Sequence, residues 1–169
     1  MIWLVRAAIT FQTLLLVCVI MSDIATRLIS NKLCLMIAAV GIGCHLLVEP
    51  RLLPTSVIVA AALFLLLLLL HCRGWIGGGD VKLLVSLSIG LPIFQVIPFL
   101  VITTWVGGVL AMVHLMMRNL PYPTRPPIGS SRLRRIYAVE RWRNLRHAPL
   151  PYGIAIACSG IWIILNHGA

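Results

Sequence analysis

The chain predicts an all-α fold: a polytopic membrane helical bundle of about six transmembrane helices, with both termini on the outer side. Three observations carry this. Hydrophobic residues make up 60% of the 169 positions and charged residues only 11%. Several uncharged apolar runs reach the roughly 18–20 residues that a helix needs to cross a bilayer. The basic residues gather in alternate connections between those runs, as they do on the cytoplasmic side of membrane proteins. A transmembrane barrel would need alternating strands of about ten residues, and these runs are too long and too uniformly apolar for that.

The first run, from Ile2 to Met21, resembles a secretory signal in having Arg6 ahead of an apolar stretch. Its length and the sequence Val19-Ile20-Met21, which offers no small-residue cleavage site, predict a retained helix ending near Ser22-Asp23. A short polar connection from Asp23 to Lys32 follows, with Ser30 or Asn31 as N-cap of the second helix. The second run covers Leu33 to Val48 and stops at Glu49-Pro50-Arg51. The third, Thr55 to Cys72, contains the uninterrupted leucine tract Leu65 to Leu70, to which no chemistry attaches. After His71-Cys72-Arg73 comes the glycine stretch Gly77-Gly78-Gly79, and a fourth helix is expected from Asp80 to about Leu91. Pro92 and Pro98 are expected to bracket a turn before a fifth run, Phe99 to Met117. The last run, Leu150 to Leu165, opens with Pro151-Tyr152-Gly153.

Eight of the fourteen basic residues (Arg118, Arg125, Arg132, Arg134, Arg135, Arg141, Arg143 and Arg146) fall in one segment between the fifth and sixth runs. This reads as a basic cytoplasmic loop over residues 118–149, within which Arg132 to Arg146 is expected to form an amphipathic helix on the membrane surface. The loop has no motif that reads DNA or RNA, so the net charge of +10 does not imply a nucleic-acid partner. The connections after runs one, three and five also hold Arg27, Lys32, Arg73 and Lys82, against only Arg6 and Arg51 on the other side. The odd-numbered connections are therefore expected to be cytoplasmic. The five cysteines are scattered without a C-x-x-C pair and suggest neither a zinc site nor a disulfide framework. The five histidines form no evident cluster and read as structural or surface residues.

Only four acidic residues occur: Asp23, Glu49, Asp80 and Glu140. A carboxylate beside a hydrophobic segment is costly to keep and is a functional candidate by default. Asp23 closes the first run and Asp80 opens the fourth, so this topology brings both to the cytoplasmic face, whereas Glu49 falls on the outer side and Glu140 in the basic loop. Two close carboxylates in a poorly solvated site share one proton. The ionised member can then take a proton from water while the protonated member donates to a carbonyl oxygen, with no metal and no covalent intermediate. Two other readings stand beside this one. Asp23 can pair with Arg27 one helical turn on while Asp80 caps its own helix; or the paired acids can serve ion or proton transport.

The residues around the two acids resemble a known family. Gly77-Gly78-Gly79-Asp80-Val81-Lys82-Leu83 is similar to the G-x-G-D-x-K-L signature of the type IV prepilin peptidases, membrane aspartic proteases of the GxGD class. Asp23, Arg27 and Ile29-Ser30-Asn31 resemble the family's D-x-x-x-R-x-I-P-N segment, with Ser30 in place of the usual proline. Pro151-Tyr152-Gly153-Ile154-Ala155-Ile156-Ala157 resembles the family segment that opens the final helix. The resemblance implies a single membrane peptidase domain over residues 1–169 that cleaves the basic leader from prepilin-like single-span precursors. It places the activity at the cytoplasmic face of a bacterial inner membrane. Asp23 and Asp80 would be the catalytic pair, with Gly77, Gly79, Lys82, Arg27 and Asn31 in support. Lys82 would tune the carboxylates or meet lipid headgroups. No cofactor or metal is implied. The cytoplasmic insertion with paired C-x-x-C zinc sites found in larger members is missing, which resembles the short forms serving tight-adherence (Flp-type) pili, without methyltransferase activity. The arginine-rich loop is expected to meet anionic lipid or a protein of the pilus or secretion assembly. A non-catalytic assembly protein of such a system is the remaining alternative.

Overall fold

The computed structural model describes residues 2–119 and 150–167. The basic loop, including the amphipathic helix expected from Arg132 to Arg146, lies outside the described residues from position 120 to 149. Six α-helices are present among the described residues: α1 Ile2–Thr26, α2 Asn31–Val48, α3 Leu53–Cys72, α4 Gly78–Gly90, α5 Ile93–Asn119 and α6 Tyr152–His167. A 3-10 turn, Pro50–Leu52, joins α2 to α3, and no strand occurs among the described residues. The all-α bundle expected from the sequence is the fold observed.

Four of the helices, α1, α2, α3 and α5, are long and apolar enough to cross a membrane. At 1.5 Å per residue, the 13 residues of α4 reach only about 20 Å, short of a hydrocarbon core of about 30 Å. The protein is thus a multi-pass membrane protein in which α4 and α6 are shorter helices among four long ones.

Two compact units divide the chain: residues up to 106 with those from 151, and residues 107–150. In the first unit α4 is central. It packs against α2, α3 and α6, while α1 packs against α2 and α6. Six of its 13 residues are buried (Val81, Leu83, Leu84, Ser86, Leu87 and Ser88), against about 22% of the apolar window of each long helix. The long helices instead expose large apolar side chains such as Leu65, Leu66 and Leu69 of the leucine tract. Lipid is as apolar as leucine, so association here rests on close packing and interhelical hydrogen bonds. Both are visible. At the crossing of α2 and α4, a Cβ on Gly41 would lie 2.5 Å from the Cα of Gly90, so the backbones touch. His45 Nε2 meets Ser56 Oγ at 3.3 Å between α2 and α3, and Thr103 Oγ1 meets Ser159 Oγ at 2.6 Å between α5 and α6. In the second unit, Gly108 has nothing within 4 Å of where a Cβ would stand.

Three boundaries differ from the sequence reading. Helix α1 does not stop at Asp23 but runs a further turn to Thr26. Helix α4 starts at Gly78, with Gly77 as N-cap and no side-chain cap, so Asp80 is not the cap of its own helix. Pro98 lies inside α5, which begins at Ile93 rather than after a turn. Membrane helices tolerate such a proline because neighbouring groups re-satisfy the freed backbone carbonyl.

Candidate active site

Asp23 is carried on the last turn of α1. The helix ends there because Arg27 turns into the left-handed region, φ 55°, its N–H still bonded to the Asp23 carbonyl at 2.9 Å. Side chains of the same turn hold the reversal. Ser22 Oγ donates to the Leu28 carbonyl (2.8 Å), Thr26 Oγ1 donates to the Ser22 carbonyl (2.9 Å), and Leu28 N–H donates to Thr26 Oγ1 (3.3 Å). Two residues on, Ser30 caps α2 by accepting from Lys32 N–H at 3.3 Å. The Asp23 side chain points inward and is 4% exposed.

Its partner comes from the far end of the chain. Ile154 N–H, in the first turn of α6, donates to Asp23 Oδ2 at 3.1 Å. The same N–H also reaches the Pro151 carbonyl at 3.3 Å, and the first-turn N–H groups of a helix form the positive end of its dipole. Gly153 makes the approach possible. A Cβ there would stand 2.8 Å from Asp23 Oδ2, 3.1 Å from its Cγ and 3.0 Å from Ile29 Cδ1.

Asp80 lies in the first turn of α4, outside the long spanning helices. Its carboxylate folds back over the N-cap: a Cβ on Gly77 would be 2.9 Å from Asp80 Oδ2. Gly77 is extended, φ −68° and ψ 140°, and its carbonyl accepts from Val81 N–H at 3.2 Å. Gly79 faces Ile29, whose Cβ would be 3.4 Å from a side chain at that position. Ile29 therefore touches the start of α4 at Gly79 and the start of α6 at Gly153, and so brings the elements bearing Asp80 and contacting Asp23 together. The electrostatics agree with that geometry. Burial, and then the charge of Asp23, push the Asp80 carboxyl up to about 6. Burial, and then the charge of Asp80, raise the phenol of Tyr152, two residues before Ile154. One buried carboxylate accepting a backbone N–H and a second carboxyl raised by burial and by the charge of the first are thus carried on helix ends that converge on Ile29.

The other residues named from sequence lie on the same helix ends. Gly77 and Gly79 are both sites where the backbone closely approaches a side chain. Lys82 Nζ donates to Asn31 Oδ1 at 3.0 Å, tying the first turn of α4 to the first turn of α2. Arg27 supplies the left-handed turn that ends α1. Gly41 is occupied by Gly90 and serves internal packing rather than an open face, whereas nothing lies within 4 Å of a Cβ on Gly43. Among the described residues no group of three or more His, Cys, Asp or Glu side chains could hold a metal ion.

Sequence reasoning missed Ile29 as the common neighbour and read His71, with the other histidines, as a structural or surface residue. His71 Nδ1 meets the Ile76 carbonyl at 2.8 Å, and its ring lies against Gly78. The position of His71 seven residues before Gly78 was the available signal.

Comparison with known proteins gives one family match. The model of the type IV leader peptidase family matches residues 10–112, a stretch that contains both aspartates and the glycine loop. No curated protein and no solved structure matches the chain.

Proposed function

The chain belongs to the type IV leader peptidase family, and from that premise we propose that it is an aspartic endopeptidase in which Asp23 and Asp80 act as one pair. The observation that carries the proposal is the packing of Ile29 against Gly79, next to Asp80, and against Gly153, which lies on Asp23; burial, and then the charge of Asp23, raise the Asp80 carboxyl in keeping with it.

Asp23, whose Oδ2 accepts from Ile154 N–H, is the general base. It takes a proton from a water molecule, whose oxygen attacks the scissile carbonyl carbon. Asp80, protonated, gives its proton to the carbonyl oxygen, so no negative charge accumulates there. Collapse of the tetrahedral intermediate returns the hydroxyl proton to Asp80. The proton on Asp23 passes to the leaving amine, and both carboxyls are back in their starting states. Water has been added across the amide with no covalent intermediate.

The substrate proposed is the basic leader of a prepilin-like single-span precursor, whose apolar helix lies beside the bundle while its leader reaches the pair. The positive-inside distribution of Arg27, Lys32, Arg73, Lys82 and the basic loop supports a cytoplasmic site at a bacterial inner membrane, with both termini outward. The acids sit at helix ends rather than at mid-helix, which suits a site open to a cytoplasmic leader better than a transport path. The test is cleavage of a co-expressed prepilin by wild type, Asp23→Asn and Asp80→Asn at matched membrane levels. Leader removal by wild type alone supports the proposal; removal by either variant at the wild-type rate refutes it.

A further inference from the structure

The glycine loop that delivers Asp80 is held from one side by a histidine. Helix α3 ends in a Schellman turn: Gly74, φ +75°, donates its N–H to the His71 carbonyl (2.8 Å), and Trp75 N–H donates to the Leu70 carbonyl (3.1 Å). This reversal brings the chain back across the last turn of α3, so that the His71 ring meets the loop it has just launched. Its Nδ1 lies 2.8 Å from the Ile76 carbonyl. A carbonyl can only accept, so Nδ1 carries the hydrogen. On the other side of the ring, a Cβ on Gly78 would stand 3.3 Å from Cε1 and 3.4 Å from Nε2. The imidazole, though exposed, contacts both the carbonyl that precedes the N-cap and the first residue of α4, two positions ahead of Asp80.

We propose that His71 is a positioning residue: by donating from Nδ1 to the Ile76 carbonyl and packing on Gly78, it fixes the start of α4 and with it the Asp80 carboxyl against Asp23. A residue that merely filled space at the end of α3 would not need a donor there. The charge of Asp23 on α1 acts on Asp80, and that of Asp80 acts on Tyr152 of α6; the contacts of His71 described above are with the backbone that carries Asp80. The catalytic role of Asp80 rests on the function proposed above, but the placement of its carboxyl does not.

The experiment uses the full-length chain in detergent or lipid, and compares His71→Leu with His71→Asn. The asparagine amide nitrogen occupies nearly the place of Nδ1 and keeps the donor; leucine keeps bulk and loses it. Two quantities are read: leader cleavage, and titration of Asp80 by infrared spectroscopy of isotope-labelled aspartate, with Asp80→Asn identifying the band. His71→Leu is expected to lower kcat about ten- to a hundredfold with little change in KM, the scale expected when a reacting group is displaced by up to about 1 Å. The Asp80 titration is expected to move down toward the ordinary carboxylate range in the same variant, and His71→Asn to restore both. An unchanged Asp80 titration in His71→Leu overturns the proposal, as does equal loss in both variants. If the wild type cleaves no leader, the peptidase reading fails, and the titration still decides whether His71 places Asp80.

Discussion

Replacing Gly153 by alanine places one methyl group where the two halves of the site meet. The new Cβ would stand 2.8 Å from Asp23 Oδ2, 3.0 Å from Ile29 Cδ1 and 3.1 Å from Asp23 Cγ. The Ile29 methyl is the end of a flexible chain and can move aside. The Asp23 carboxyl cannot do so freely, because it is buried on a short side chain and bonded to Ile154 N–H. Relief to ordinary contact requires Asp23 and α6 to separate by roughly 0.5 Å or more, since carbon contacts are optimal near about 3.5–4.0 Å. That displacement lengthens the hydrogen bond from Ile154 N–H to Asp23 and tilts the base away from its water. We expect kcat for leader cleavage to fall about ten- to a hundredfold, given that misplacement of a reacting group by about 1 Å costs about a hundredfold. Overpacking should also cost about 1–3 kcal/mol of stability. Gly43→Ala is the matched control. Nothing lies within 4 Å of its Cβ position, so it should retain activity and gain about 0.5–1 kcal/mol from helix propensity. The assay is initial-rate cleavage by purified variants, normalised to folded protein. Wild-type kcat in Gly153→Ala would refute the geometry drawn here.

Further consequences follow from the charge state of Asp80 and from the α2–α4 crossing. Asp80 must be protonated to act as the acid, and its carboxyl stands at about 6, so cleavage should decline as the pH rises through about 6; a rate flat from pH 5 to 8 would contradict the role. The folded-state value lies above the ordinary 3.8, so folding favours the protonated form. Stability is then full below about pH 4 and is lost as the pH rises through about 6, by up to about 3 kcal/mol. Asp80→Asn should remove that loss and raise the unfolding midpoint at pH 7 to 8, with no gain near pH 4, as thermal unfolding at several pH values would show. Gly41→Ala should destabilise by about 3 kcal/mol, the upper part of the overpacking range, because its Cβ would lie 2.5 Å from backbone rather than from a movable side chain. Loss of the folded, monodisperse protein in detergent is the expected result.

Much of this fold was legible because membrane helices announce themselves. Uniform apolar runs and proline or glycine stops set α2 and α3 to within two residues of their observed ends. The misses have local causes. Asp23 reads as the end of a hydrophobic run, but Ser22 and Thr26 satisfy backbone groups from within the turn and let α1 continue to Thr26. Pro98 reads as a breaker, yet in α5 it removes only one backbone bond. The acids themselves were legible from scarcity: among four acidic residues, only Asp23 and Asp80 close and open apolar runs on the same side. What surrounds them was not. The Ile154 donor lies 131 positions from Asp23, and a backbone N–H leaves no mark on sequence. Ile29 is one isoleucine among many, and its contact with Gly79 and Gly153 depends on how three helix ends converge. His71 looked like an ordinary residue at a helix end because its partner is a carbonyl.

The central claim is that Asp23 and Asp80 form one coupled pair, and the most direct measurement is the titration of the Asp80 carboxyl in wild type and in Asp23→Asn. In wild type the carboxyl should titrate at about 6. With the Asp23 charge removed and its volume kept, burial still raises Asp80, but the repulsion is gone and the titration should move down. The same value in both proteins would mean that the two acids do not sense one another, and the account of a shared site would fall.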